Sequence, residues 1–310
     1  MKKILLVVAV MLCITVAGCG NGGGELNKDA DTFTITDCEG SSFAIPKNGR
    51  IVSAYGSFSE CWLLSGGKLT GVTSDAIEER NLPVSEDTEI IGTVKEINVE
   101  KLVSLNPDYV IMSHEITNQL NLRENLDRMG IAYGYFKVDT FDDYDGMMKQ
   151  FCAYNDRDDL YKENVTKVKK NIDAIMSSVP SQSDKTFLLM RVYSTGIKVK
   201  SDNIADGIIK EFGLTSIADK TPSLLDNLSV EHIITEDPDY IFVLSMGDED
   251  AAREYLLNNV ENNPAWNGLK AVKNGNYIIL PKNLFHYKPN NRWDESYEYI
   301  AKILYPEMYR

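Results

Sequence analysis

The feature that most constrains the fold is an internal repeat of one segment. The first copy, INVEKLVSLNPDYVI, occupies residues 97–111, and the second, LSVEHIITEDPDYIF, occupies residues 228–242, an offset of 131 residues. The second residue of each copy, Asn98 or Ser229, is a good helix N-cap, and an acid follows two positions later, where the helix dipole favours it. A Pro-Asp pair then ends the helix and a buried strand follows. A period this long predicts two similar α/β lobes rather than a solenoid of small units.

Between the two copies lies a segment without glycine or proline, residues 156–179. Its apolar side chains recur every three to five residues, which predicts one long, largely exposed α-helix. We therefore expect an N-terminal α/β lobe over residues 32–155, an interlobe helix over residues 156–179 and a C-terminal α/β lobe over residues 180–310.

Each half opens in a similar way. In the first half, a strand over residues 50–54 runs into a Ser57-to-Glu60 stretch with the pattern of a capping box. In the second half, strands over residues 187–192 and 197–200 precede a helix that begins near Asp202 or Asn203. Turns at the carboxyl ends of such strands are where open α/β folds bind ligands.

The N-terminus has the pattern of an export signal. Two lysines precede an apolar run over residues 4–16, which is too short to span a bilayer comfortably. The run ends in small residues before Cys19 and resembles a bacterial lipobox. We expect a signal peptide over residues 1–18, a lipidated Cys19 and a flexible linker over residues 19–31. Alternatives are an ordinary secretory signal or an uncleaved anchor.

The expected location is extracytoplasmic, on the outer face of the cytoplasmic membrane or in the periplasm. The formal net charge is −14. Removing residues 1–18, which contain two lysines and no acid, changes it to −16. This charge argues against a nucleic-acid partner, because phosphate binding needs a basic face.

The remaining cysteines show no zinc-binding spacing. Cys61 lies in an apolar helical stretch, where a buried free thiol is expected. Whether Cys38 and Cys152 form a disulfide stays open at this stage.

Several segments, in order along the chain, resemble one family. These are Asp37 to Gly40, Ile45-Pro46, residues 50–52, the first repeat copy and residues 264–277. Together they resemble the helical-backbone (class III) substrate-binding lipoproteins of ABC importers for ferric siderophores, haem and cobalamin. The resemblance covers essentially the whole chain after the signal peptide.

The resemblance implies two Rossmann-like α/β lobes joined by a single long α-helix, with the ligand in the cleft between the lobes. It also implies an ABC permease dimer with its ATPase as partners. The acids that match the family's permease-docking positions are Glu100 and Glu231. Glu96 is an alternative, and both acids also make sense simply as helix-dipole residues.

Four loops are expected to border the cleft. The predicted ligand-binding residues are Tyr55, Ser57, His114, Arg191, Tyr193, His286, Tyr287, Lys288, Arg292 and Trp293. The last five include aromatic and cationic side chains that suit a flat or anionic complex. Trp293 could equally be a core anchor, and Arg191 could be a structural ion-pair residue.

The predicted ligand is a ferric siderophore. Alternatives within the family are cobalamin and haem, the latter with an axial ligand among Tyr55, His114, His286 or Tyr287. We expect no catalytic residues, because HExxH, P-loop and GxSxG motifs are missing. We also expect no resident cofactor and no bare-metal site, since a bare-metal site needs several His and carboxylate side chains around one ion and only His114 and His286 lie near the expected cleft. A hydrolase or an adhesive surface lipoprotein is the alternative from another class.

Overall fold

The two copies of the repeat form equivalent strands in two separate parallel sheets. The computed structural model describes residues 31–180, 184–199, 201–221 and 230–309. The predicted signal peptide, Cys19 and Ser229, the predicted helix N-cap of the second copy, lie outside these residues. None of the helices in the described ranges has the length and hydropathy needed to cross a bilayer.

The strands in the described residues are short, as is usual in α/β lobes. They are β1 (Thr32–Thr36), β2 (Ser42–Pro46), β3 (Ile51–Ser53), β4 (Gly71–Val72), β5 (Glu89–Ile90), β6 (Tyr109–Ser113), β7 (Tyr133–Phe136), β8 (Thr186–Tyr193), β9 (Gly196–Val199), β10 (Thr215–Ser216), β11 (Tyr240–Ser245) and β12 (Tyr277–Ile279).

The α-helices alternate with the strands in both lobes. They are α1 (Gly56–Leu64), α2 (Asp75–Glu78), α3 (Val99–Ser104), α4 (Thr117–Leu120), α5 (Arg123–Met129), α6 (Phe141–Tyr154), α7 (Asp158–Tyr161), α8 (Lys167–Ser178), α9 (Ile204–Glu211), α10 (Ile217–Lys220), α11 (Val230–Glu236), α12 (Glu249–Leu256), α13 (Lys270–Lys273), α14 (Lys282–Phe285) and α15 (Trp293–Leu304). Two π-helical turns, Lys162–Thr166 and Leu257–Glu261, continue α7 and α12.

The sheet order is β5-β4-β3-β6-β7 in the N-terminal lobe and β10-β8-β11-β12 in the C-terminal lobe. All neighbouring pairs in these orders are parallel, and β9 adds an antiparallel edge to β8. In the repeat, Tyr109 of β6 lies opposite Ile51, and Tyr240 of β11 lies opposite Phe187. The predicted fold class, two Rossmann-like lobes, is confirmed.

The aspartate of each Pro-Asp pair makes the same contact in both lobes. Asp108 Oδ2 accepts a hydrogen bond from the backbone N–H of Arg50 at 2.7 Å. Asp239 Oδ2 accepts one from the N–H of Thr186 at 3.0 Å. Each carboxylate therefore satisfies a backbone donor at the start of the neighbouring strand, which gives the repeated Pro-Asp pair a structural reason.

The segment between the repeats is helical over residues 158–178, with the π-helical turn between α7 and α8. Its buried apolar side chains are Val165, Val168 and Ile172, which belong to the central core. The C-terminal helix α15 packs against α8. The apolar spacing in the sequence therefore identifies the face of this helical segment that packs against the rest of the protein. The exact lobe boundaries remain a prediction.

The largest hydrophobic core is continuous through both lobes. It includes Phe58 and Phe151 from the N-terminal lobe, Phe187 from the C-terminal lobe and Trp293 from α15. Burial of this apolar surface, worth roughly 1.5–3 kcal/mol for each large side chain, fixes the lobes to the helix between them.

The three cysteines in the described residues are free thiols, so the Cys38–Cys152 disulfide that the sequence left open is not formed. Cys61 and Cys152 are buried. Burial raises the pKa of the Cys61 thiol, and it raises the pKa of Cys152 to about 11.

Candidate functional site

A cavity of about 230 Å³ lies between the lobes, where the carboxyl ends of parallel strands from both sheets meet. Its lining residues are Tyr55, Ser113, Glu115, Ile116, Asp139, Arg191, Asp202, Asn203, Ile204, Phe285, His286 and Lys288. Both halves of the chain therefore contribute to one site.

The first loop follows β3 and leads directly into α1. Tyr55 is the N-cap of α1 and lines the cavity, but its side chain makes no capping hydrogen bond. The predicted capping box at Ser57 is wrong, because α1 begins at Gly56. The backbone N–H of Gly56 instead donates to Asp75 Oδ2 at 2.8 Å. A carboxylate of the protein itself therefore stabilises this helix N-terminus.

Ser57 is buried and does not line the cavity. Its hydroxyl oxygen accepts a hydrogen bond from Arg80 Nη1 at 3.2 Å. The same guanidinium pairs with Glu60. Ser57 thus contributes to a polar network between α1 and the segment after α2 rather than to the cavity wall.

The second loop follows β6 and is held by the buried amide of Gln119. The Gln119 Oε1 atom accepts from the N–H of Ser113 at 2.7 Å, and Nε2 donates to the carbonyl oxygen of Ala54 at 2.7 Å. This amide joins the ends of β3 and β6, so it fixes two of the four loops relative to each other. Glu115 lines the cavity, whereas His114 lies outside the lining with Nε2 3.4 Å from a Glu39 oxygen.

The third loop contributes Arg191, a partly buried residue near the end of β8. Its Nε atom is buried and has no hydrogen-bond partner in the described part of the chain. Tyr193 is not among the lining residues, and its ring lies 5.8 Å from Lys198 Nζ.

The fourth loop contributes His286 and Lys288 to the cavity. His286 Nδ1 is buried without a hydrogen-bond partner among the described residues. Burial, together with the charges of Arg191, Lys282 and Lys288, lowers the pKa of His286 to about 4. The imidazole is therefore neutral at physiological pH.

Lys288 is nearly buried, with 7% of its side chain exposed. Its Nζ atom donates to Glu115 Oε2 and to the carbonyl oxygen of Val138, both at 2.6 Å. Asp139 Oδ1 lies 3.5 Å away. The charge of this lysine is thus compensated by carboxylates of the N-terminal lobe.

The other predicted residues of this loop lie elsewhere. The Tyr287 ring lies close to two cations, with its centroid 5.9 Å from the guanidinium carbon of Arg80 and 5.8 Å from Lys282 Nζ. Arg292 Nη2 pairs with Glu295 Oε2 at 2.6 Å. Trp293 is 1% exposed and belongs to the core, which agrees with its alternative interpretation as a core anchor.

Residues 286–292 are also bound to the N-terminal lobe by a second set of contacts. The carbonyl oxygen of Lys288 accepts from Arg80 Nη2 at 3.0 Å. Asn290 Nδ2 donates to the carbonyl oxygen of Ser57 at 2.9 Å, and Asn290 Oδ1 lies 3.3 Å from Cys61 Sγ. The last part of the chain therefore connects the two lobes beside the cavity.

The structure brings four of the ten predicted ligand residues together: Tyr55, Arg191, His286 and Lys288. Contact of any of the ten with a ligand stays a prediction. Sequence reasoning missed the acids Glu115, Asp139 and Asp202 and the wall formed by Asn203, Ile204 and Phe285. The sequence did contain a signal for this part of the wall. The helix predicted to begin near Asp202 or Asn203 follows a strand of the C-terminal sheet, and such strand-to-helix turns border ligand sites in α/β folds. In the described ranges, no three His, Cys, Asp or Glu side chains converge as a metal site.

Comparison with known proteins gives a consistent result. The sequence model of a family described as periplasmic binding protein matches residues 51–284. The Fe(3+)-citrate-binding protein YfmC of Bacillus subtilis is 25% identical over 285 residues, which cover 88% of each chain. The iron(3+)-hydroxamate-binding protein FhuD of the same organism is 24% identical, with 96% of this chain and 95% of the relative covered.

A solved structure supports the fold. Staphylococcus aureus SirA, crystallised in complex with staphyloferrin B, superposes with a TM-score of 0.67 at 18% sequence identity. The match covers 89% of this chain and 98% of SirA.

Proposed function

The chain belongs to the periplasmic binding protein family, and we propose that it is the substrate-binding lipoprotein of an ABC importer that captures a ferric chelate. The observation that carries this proposal is the cavity between the lobes, which is lined by Arg191, a residue whose buried Nε atom has no hydrogen-bond partner among the described residues. A buried donor without an acceptor costs about 1–3 kcal/mol, so a ligand that supplies an acceptor gains that energy on binding.

The proposed role is binding without turnover, with no resident cofactor. Iron enters as cargo inside its chelate. Two relatives named for binding iron complexes, YfmC and FhuD, match nearly the whole chain, which supports this ligand class.

We further propose that Cys19 carries the lipid anchor. Several acyl chains, at about 0.8 kcal/mol for each buried CH₂ group, would hold the protein at the outer face of the membrane. The permease dimer and its ATPase are the proposed partners, and Glu100 and Glu231 are the proposed docking residues. Both acids are exposed in the first turns of α3 and α11, at equivalent positions of the repeat.

One observation favours haem as a second candidate ligand. The neutral His286 imidazole lines the cavity, and its buried Nδ1 atom has no hydrogen-bond partner within the described ranges; a neutral imidazole is a common axial ligand of haem iron. Tyr55 lines the same cavity.

The proposal is tested by titrating the purified protein with ferric citrate, a ferric trihydroxamate, a ferric tris-catecholate, haemin and cyanocobalamin. Binding is followed by thermal shift and tryptophan fluorescence. We expect at least one ferric chelate to bind with micromolar or tighter affinity. If haemin alone binds, with a shifted Soret band, haem replaces the chelate as the ligand. If none of the five binds, the proposed function is wrong.

A further inference from the structure

Residues 286–292, which we call the strap, lie against one face of α1. The α1 residues that Asn290 contacts, Ser57, Glu60 and Cys61, are three or four positions apart and form one stripe of the helix. The Asn290 Nδ2 atom donates to the carbonyl oxygen of Ser57 at 2.9 Å and to the Glu60 carboxylate. Its Oδ1 atom accepts from Cys61 Sγ at 3.3 Å. A segment that follows the last strand of the C-terminal sheet is therefore attached to a helix of the N-terminal lobe.

The backbone of Asn290 suits this attachment. Its φ angle is 54°, in the left-handed region where asparagine is enriched among non-glycine residues. The residue is 1% exposed, and both ends of its amide are paired. Contacts with α1 thus determine the side chain of Asn290 at the point where the strap turns.

Arg80 attaches the strap at a second point. Its Nη2 atom donates to the carbonyl oxygen of Lys288 at 3.0 Å and pairs with the Glu60 carboxylate. Its Nη1 atom donates to Ser57 Oγ at 3.2 Å. The Arg80 side chain is 8% exposed, so these bonds form almost out of contact with water. Charge-assisted hydrogen bonds of this kind are roughly twice as strong as neutral ones.

The strap carries part of the cavity wall, whereas its attachments lie outside that wall. His286 and Lys288 line the cavity, but Arg80, Glu60 and Asn290 do not. The carbonyl group that Arg80 holds belongs to Lys288 itself. Loss of this attachment would therefore displace lining residues that Arg80 does not touch with its own side chain inside the cavity.

Resting on the proposed function, we infer that Arg80 is a positioning residue of the ligand site, which fastens the strap to α1 and so places His286 and Lys288 in the cavity wall. A ligand in the cavity binds the fastened form, because the lining is complete only in that form. Ligand binding and fastening of the strap are then coupled, and each stabilises the other.

The thiol of Cys61 is a native reporter of the strap. It is buried and bonded to Asn290, so a thiol reagent reaches it only when the strap leaves α1 or the chain unfolds. Cys152 is also buried, but it lies on α6, and no hydrogen bond joins it to the strap in the described part of the chain. The ratio of Cys61 to Cys152 labelling therefore separates release of the strap from general unfolding.

The experiment labels the full chain with N-ethylmaleimide and quantifies each cysteine by peptide mass spectrometry. Without ligand, Arg80→Met is expected to raise the Cys61 to Cys152 ratio about 10- to 100-fold, as loss of charge-assisted hydrogen bonds does. Arg80→Lys keeps the charge but not the fork, so its ratio is expected to lie between the two. Glu60→Gln, a second variant, is expected to give a smaller rise, because a neutral amide still accepts from the guanidinium.

The matched control is Arg123→Met. Arg123 also belongs to the N-terminal lobe, pairs with Glu39 at 2.8 Å and lies 5.0 Å from the centroid of the Tyr135 ring. It removes the same charge and the same kinds of contact as Arg80→Met. Neither Arg123 nor Glu39 has a hydrogen bond or ion pair to the strap in the described ranges. The labelling ratio is expected to stay unchanged in this variant.

A second measurement tests the coupling to the ligand. Arg80→Met is labelled in the presence of ferric citrate, a ferric trihydroxamate, a ferric tris-catecholate, haemin or cyanocobalamin, each at about 100-fold above its Kd. A compound that binds the fastened form alone is expected to slow Cys61 labelling by up to about 100-fold, towards the rate of Cys152. Cys38, which is exposed, should be labelled at the same rate throughout and reports any direct effect on the reagent.

Three results would overturn the inference. An unchanged ratio in Arg80→Met and Glu60→Gln would show that Arg80 does not fasten the strap, and an equal rise in Arg123→Met would show an unspecific effect. A raised ratio that a bound compound leaves unaltered would show that the strap is not part of the ligand site, while the proposed function would stand. If none of the five compounds binds the unaltered protein, the proposed function fails and the ligand role of Arg80 fails with it, whatever the ligand-free ratio shows.

Discussion

Lys288 Nζ lies 2.6 Å from Glu115 Oε2, so an ion pair connects residues 286–292 to the N-terminal lobe at the cavity. The lysine side chain is 7% exposed and the glutamate side chain is 36% exposed. One partner is therefore nearly buried while the other retains contact with water. Such a pair aligns the two walls of the cavity, and its loss would leave a carboxylate and the Val138 carbonyl without their donor.

We predict that Lys288→Met lowers the free energy of unfolding by about 2 kcal/mol. Breaking a fully buried pair costs about 3–5 kcal/mol, and the exposure of Glu115 reduces this cost. Urea denaturation measures the change. Lys302→Met is the control, because Lys302 forms an exposed pair with Glu298 in α15 and should cost less than about 0.5 kcal/mol. Equal losses in both variants would show that the Lys288 pair has no special structural role.

We predict a pH dependence of stability that originates in His286. Its pKa falls from 6.5 in the unfolded chain to about 4 in the folded protein, because of burial and of nearby Arg191, Lys282 and Lys288. The unfolded chain therefore binds a proton between these two values while the folded protein does not. Stability from this group is complete above pH 6.5 and is lost as the pH falls towards 4, by roughly 3 kcal/mol in total.

The measurement compares urea unfolding of the protein and of His286→Asn between pH 4 and pH 8. Other groups titrate in both proteins, so the difference between the two curves isolates His286. The variant is expected to lose less stability on acidification. Parallel curves would show that His286 has an ordinary pKa in the folded state.

We predict opposite effects for two glycine-to-alanine substitutions. A Cβ atom at Gly56 would lie 2.8 Å from Asp75 Oδ2 and 2.9 Å from the backbone N of Ala76, whereas one at Gly146 would meet no atom within 4 Å. Gly56→Ala is therefore expected to destabilise the protein by about 2 kcal/mol. Gly146→Ala, inside α6, is expected to stabilise it by roughly 0.5–1 kcal/mol.

Thermal unfolding in the same buffer measures both glycine variants. A neutral Gly56→Ala would mean that the contact between Asp75 and the start of α1 can shift without cost. That result would also remove the explanation given above for the position at which α1 begins.

The fold was largely predictable because its main signals are local. The repeat contains its own N-cap at Asn98, whose Oδ1 atom accepts from the N–H of Lys101 at 2.9 Å. It also contains the Pro-Asp stop and the strand that follows. Apolar spacing between the repeats likewise identified the helical face that carries Val168 and Ile172.

The candidate site was predictable to the level of the loop but not of the side chain. The second loop was expected to present His114, yet its neighbour Glu115 lines the cavity, and the third loop presents Arg191 rather than Tyr193. Which of two nearby side chains faces a cavity depends on tertiary contacts. The start of α1 shows the same limit, because its carboxylate partner Asp75 lies 19 residues away in sequence.

We predict that docking to the permease is separable from ligand binding. The double variant Glu100→Arg/Glu231→Arg reverses one exposed charge in each lobe, and neither residue lines the cavity. Ligand affinity should be unchanged, because the cavity keeps all its groups. Uptake of a radiolabelled ferric chelate by cells that carry the matching permease should fall at least about tenfold, since charges at an interface set both encounter rate and partner choice.

The control for docking is Glu124→Arg/Glu254→Arg, which also reverses one exposed charge in each lobe, on α5 and α12. Both double variants change the net charge of the chain by the same amount. A general effect of charge on delivery would therefore lower uptake equally in the two. Only specific pairing at Glu100 and Glu231 predicts a loss in the first variant with near-normal uptake in the second, and equal uptake in both would exclude these acids as docking residues.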